Sequence, residues 1–143
     1  MEQPRISQFS IARLLVWGSI ILAAAYAANF FIPDPWVHWA IANVFHVAGG
    51  AYAFFFVRAV FLYTAPSHQT RATWWMELLI FAGGALIIGV FWEWCELLID
   101  RYKLFILREP SIMTYADNIG DLLFDAIGAA TAAYFFRKHG KRK

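Results

Sequence analysis

Four long apolar runs, each separated from the next by proline or charge, constrain this chain more than any other feature. Crossing about 30 Å of hydrocarbon takes about 20 mostly apolar residues at about 1.5 Å per residue. Residues 9–32, 36–64, 74–99 and 117–136 meet that requirement. Pro33-Asp34-Pro35 ends the first run, and the polar stretch 65–73 with Pro66 ends the second. A mixed stretch, 100–116, carries Pro110 and precedes the fourth. Within it, Leu104-Phe105-Ile106-Leu107 reads either as a piece lying along the interface or as one folding back. Composition agrees: 15% of the residues are charged and 61% are hydrophobic. So large an apolar excess is more than one small core can bury, so part of it must face lipid. The expectation is an all-α, polytopic membrane protein, a four-transmembrane-helix bundle forming a single integral membrane domain over residues 1–143. Trp36, Trp39, Trp74 and Trp75 fall at helix ends, where an aromatic belt would sit. No small-residue cleavage site follows the first run, so a cleavable signal peptide is not expected.

Lysine and arginine give the orientation. Arg5, Arg13, Arg58, Arg71, Arg137, Lys138, Lys141, Arg142 and Lys143 fall on one side, which is nine of the twelve basic residues. The first loop has none, and Arg101, Lys103 and Arg108 in the third sit beside Asp100 and Glu109. Both termini are therefore expected in the cytoplasm. The basic tail is first a topology signal, with contact to anionic lipid as a second use. It is a short tail and not a folded basic face, which argues against nucleic acid as a partner.

Ionisable groups inside spans are costly and usually face a bundle interior or a wet cavity. Asn43, His46 and Arg58 lie in the second run, Glu77, Glu93 and Glu96 in the third, and Asp117, Asp121 and Asp125 in the fourth. Under the orientation above, His46, Glu93, Glu96 and the three aspartates share the outer half of the bilayer. Glu93 and Glu96 are spaced i,i+3, and Asp117, Asp121 and Asp125 are spaced i,i+4,i+8, so each set occupies one helix face. Asn43 and His46 are also i,i+3, and Gly49, Gly50, Gly120 and Gly128 permit close helix approach. Arg58 and Glu77, near the other end, are candidates to pair with each other, and Glu96 or Asp100 with Arg101.

Five carboxylates at close range need either retained protons or a cation. Helical bundles hold metal centres with inward carboxylates and histidines. The set His46, Glu93, Glu96, Asp117, Asp121 and Asp125 is thus a candidate site for a divalent metal ion. Oxygen-rich ligation with one histidine suits magnesium, manganese, calcium or iron, with zinc also compatible. Asp117 and Asp121 have a plainer use as well, at the cap and dipole of the fourth helix. A bound metal would activate water or polarise a lipid headgroup phosphate or ester, with an unligated glutamate as general base. Two alternatives stay open. One is proton or cation transport, against which stands the alanine and aromatic stretch beyond Asp125. The other is a small structural subunit of a larger membrane complex or homo-oligomer. A hydrolase elbow, a phosphate-binding loop and a His-Glu-x-x-His pattern are missing from the sequence. The single cysteine, Cys95, excludes an internal disulfide and a cysteine-based zinc site, and its acidic neighbours Glu93 and Glu96 would make it a poor nucleophile.

These residues resemble those of the YjdF-like family of small bacterial inner-membrane proteins. The first shared element is a His with a glycine three positions on and an Arg at the twelfth, here His46, Gly49 and Arg58. The second is an aromatic-Glu-x-x-Glu run, here Phe91-Trp92-Glu93-Trp94-Cys95-Glu96. The third is an aspartate series ending in Ile-Gly-Ala, here Asp117 and Asp121 followed by Ile127-Gly128-Ala129. Three departures stand out: the Gly-Asp pair before the third element is missing, Asn118 replaces a Thr, and Asp125 stands where a small apolar residue is expected. VanZ-like proteins are similar in plan. The resemblance implies the same His, Glu and Asp positions and a bacterial inner-membrane location, and it implies no particular reaction.

Overall fold

The computed structural model describes residues 8–31, 34–64, 73–108 and 114–140. The expected breaks at Pro33, Pro66 and Pro110, and the basic residues Arg5, Arg71, Lys141, Arg142 and Lys143, lie outside the described residues. Those described form helices only: α1 (Gln8–Phe31), α2 (Pro35–Thr64), α3 (Trp74–Tyr102) and α4 (Tyr115–Gly140).

Local chemistry fixes the helix starts. Asp34 caps α2, its Oδ1 accepting the Trp36 and Val37 backbone N–H groups at 2.9 and 3.0 Å. Pro35 then takes the first helical position, where a missing N–H costs nothing. At α4, Thr114 and Asp117 form a reciprocal capping box. Thr114 Oγ1 accepts the Asp117 N–H at 3.2 Å, and Asp117 Oδ2 accepts the Thr114 N–H at 3.1 Å and its hydroxyl at 2.6 Å. The fourth helix therefore begins at Tyr115, two residues before the expected 117.

The third helix corrects a larger expectation. It does not stop at 99: α3 runs on through a π-helical turn, Lys103–Leu107. Leu104 to Leu107 neither fold back nor form a separate piece; they continue the helix. Arg108 ends it in the left-handed region, with φ 61°, its N–H donating to the Lys103 carbonyl.

Helices α2 and α4 run parallel and in direct contact, with α3 packed antiparallel against both. Contacts between α2 and α4 rise together along both chains, from His46 beside Asp121 to Arg58 beside Phe136. Along α3 they run in reverse, with Val57 against Gly84 and His46 near Glu93. Helix α1 packs on α2, where the Tyr52 hydroxyl donates to the Leu14 carbonyl at 2.7 Å. A side chain on Gly18 would collide with that tyrosine ring.

Three stretches are long and apolar enough to cross a membrane: Trp36–Thr64, Trp74–Leu107 and Tyr115–Arg137. The apolar stretch of α1, Ile11–Ala25, is shorter than the usual span. Many large apolar side chains point outward, among them Phe31, Leu79 and Leu98, each at least 70% exposed. A soluble monomer rarely shows so much apolar surface, whereas lipid accepts it. The buried apolar cluster is Ala53, Phe54, Phe81, Ala85, Ala129 and Ala132. It occupies the half of the bundle away from His46.

Candidate metal centre

Glycines build the site by letting backbones meet. A Cβ on Gly50 would run into the Asp125 carbonyl of α4, and one on Gly128 into the Val47 carbonyl of α2. Helices α2 and α4 therefore lie closer here than side chains would allow. From α3, Gly89 leaves room for the Asp125 carboxylate, since a Cβ there would fall 2.6 Å from Oδ2. Asp125 is accordingly buried.

His46 projects into the space so defined. Its Nδ1 lies 3.4 Å from Asp125 Oδ1 and its Nε2 3.5 Å from Asp121 Oδ1. Glu93 and Glu96 reach the same point from one face of α3. One ligand atom from each of His46, Glu93, Glu96 and Asp121 falls within 4.8 Å of all the others. Glu93 is 3% exposed, and neither of its carboxylate oxygens has a hydrogen-bond partner. An orphaned carboxylate at that burial costs several kcal/mol, on the order of what a proton or a cation must offset.

The spacing can be tested against coordination geometry. Two ligands about 2.1 Å from one ion and at a tetrahedral angle lie about 3.4 Å apart. The His46–Asp121 separation of 3.5 Å is of that size. The widest separation, up to 4.8 Å, suits ligands on opposite sides of a calcium-sized ion or needs a modest side-chain shift around a smaller one. Asp125, on the second ring nitrogen, sits where a carboxylate orients a ligating histidine.

Of the six residues expected to form the site, four converge, Asp125 stands one step behind His46, and Asp117 lies outside the group, exposed and engaged in the α4 cap. Asn43 is buried at 8% exposure, and its Nδ2 has no partner. Arg58 lies within electrostatic reach of Glu77, its expected partner, and its Cζ also sits 4.0 Å from the Phe136 ring centroid. The sequence reading passed over Gly89; its place one helical turn before Glu93, on the same face, was the available signal.

Fold and site together define a class: a helical membrane protein with a histidine-carboxylate cluster between its three longest helices. Within that class the chain belongs to the family described as "Predicted membrane protein (DUF2238)", which it matches over residues 3–142. This agrees with the YjdF-like resemblance read from the sequence. No curated protein and no solved structure matches it.

Proposed function

We propose that the protein binds a divalent metal ion in the membrane through His46, Glu93, Glu96 and Asp121, with Asp125 orienting the His46 ring. The carrying observation is Glu93, a carboxylate at 3% exposure with both oxygens unpartnered and three other ligand groups beside it. In this reading all four helices span a bacterial inner membrane as a single domain. Both termini are cytoplasmic, and the site opens on the outer side, as the lysine and arginine distribution favours. Asp117 then sits at the mouth of the site and serves it by holding the start of α4. A metal in such a place supplies Lewis acidity and an activated water, which suits hydrolysis of a lipid or lipid-linked phosphate or ester. Should Glu93 or Glu96 leave the ion when substrate binds, its freed carboxylate would serve as general base. A transmembrane proton path has less support, because below Asp125 the core turns to alanine and aromatic side chains.

Elemental mass spectrometry of the detergent-purified protein tests the reading. About one ion per chain is expected, as for a four-ligand centre, and it should vanish in Glu93→Gln/Glu96→Gln. No metal in either protein, after growth in replete medium, overturns it.

A further inference from the structure

Trp92 stands one helical turn before Glu96 on α3, and the two side chains are hydrogen-bonded, the indole N–H donating to the Glu96 carboxylate. Helix geometry brings them together. Side chains lean toward the helix N-terminus, so a residue at i+4 lies over the one at i. Glu96 therefore reaches back over Trp92. The Trp92 ring is 36% exposed, at the edge of the bundle and not in its core. A tryptophan serving only the membrane interface would turn its N–H to headgroups and water. The neighbouring Phe91 and Trp94 rings pair with each other, edge to face at 5.7 Å, and both are exposed. Trp92 instead gives its N–H to a member of the metal cluster.

The choice of indole has a chemical consequence. Its nitrogen is a donor only, so it can hold a carboxylate without competing with that carboxylate for an ion. A carboxylate offers several lone-pair sites on two oxygens, so one indole leaves room for a metal on the same group. Glutamate is a flexible side chain, and a partner that fixes its torsions beforehand removes an ordering cost that ion binding would otherwise meet. The other ligands are restrained differently. His46 has Asp125 on its second ring nitrogen, and Glu93 is held by its burial.

We propose that Trp92 is a positioning residue of the metal centre, its indole N–H fixing Glu96 in the orientation in which that carboxylate meets the ion. This rests on the metal-binding reading of the cluster.

The test uses the full chain, purified in detergent, stripped of ions and titrated with manganese(II) and, separately, with zinc(II). Trp92→Phe keeps an aromatic ring and loses the N–H. It should retain the wild-type stoichiometry and bind about ten- to a hundredfold more weakly, the usual result of removing an outer partner of a metal ligand. Trp92→Gln returns an N–H donor on a smaller side chain and should recover part of that loss. Trp94→Phe, at an exposed neighbour, should bind as the wild type does. A second readout needs no ion and holds even where Trp92→Phe fails to fold. In the ion-free protein the Trp92 indole N–H proton resonance should move upfield in Glu96→Ala, which removes the acceptor, and far less in Glu93→Ala. Binding by Trp92→Phe as tight as the wild type's, an equal loss in Trp94→Phe, or an indole resonance indifferent to Glu96→Ala overturns the role of Trp92 and leaves the metal centre standing. Wild-type protein that takes up neither ion overturns the metal centre, and this role with it.

Discussion

The half of the bundle around His46 and the half around Phe81 use the same three helices but hold them together by different means. Near His46 the contacts are glycine against backbone, with Gly50 and Gly128 letting α2 and α4 meet, and the enclosed side chains are acids and an imidazole. Around Phe81 the spacing is set by rings. Phe54 and Phe61 meet Phe81 edge-on at 5.9 and 5.5 Å, and Phe55 meets Phe136 at 6.4 Å. Lipid tails are as apolar as leucine, so neither half gains much from removing apolar surface from its surroundings. The aromatic half is stabilised by dispersion and ring geometry. The glycine half gives up such contacts to hold polar groups together, which is the arrangement a binding site requires.

Substitutions at the glycines should break this contrast most strongly. Gly128→Leu drives a side chain into the Val47 carbonyl and should cost about 3 kcal/mol or more, at the upper end of overpacking. Gly83→Ala, whose Cβ meets nothing within 4 Å, should instead gain about 0.5–1 kcal/mol from helix propensity. Chemical unfolding in detergent micelles compares the two directly.

Ligand response sharpens the contrast further. Divalent metal at about a hundred times its dissociation constant should stabilise the native protein by about 2.7 kcal/mol and leave Glu93→Gln unchanged. Without metal, Glu93→Gln should be the more stable of the two, since it removes a buried unpaired charge. Phe81→Ala should cost about 2 kcal/mol, below the 3–5 typical of water-soluble cores because the lost contacts are partly replaced by lipid. It should leave metal content intact, and loss of metal in this variant would show the two halves to be coupled. The smallest effect belongs to the rim: Asp117→Ala removes half of the α4 capping box and should cost about 1 kcal/mol with no change in metal stoichiometry.

Much of this was legible in the sequence because length and apolarity dictate helices in a chain so poor in charge. The convergence of His46, Glu93, Glu96 and Asp121 followed from helical spacing combined with a common depth. What stayed hidden depended on partners from other helices or on local alternatives. Asp125 reads as a site member by its i,i+4 spacing, yet its burial is set by Gly89 on α3, which no pattern within α4 reveals. Asp117 shares that spacing, but at a first turn the cap competes for the same carboxylate. Lys103-Leu104-Phe105-Ile106-Leu107 looked like a break because charge flanks it, although its residues favour helix and a π turn carries the backbone through.

The unbroken length of α3 has one more consequence. From Trp74 to Leu107 it contains 34 residues, which reach about 51 Å, while the hydrocarbon layer is about 30 Å deep. Tilts of up to about 40° take up only part of that excess, so some of the rod must stand clear of the layer. The part beyond Glu96 carries Leu98, Ile99, Tyr102, Phe105 and Ile106 outward, all more than half exposed. A greasy mast thus extends beyond the acidic cluster, apolar on its outward side well past the last ligand of α3.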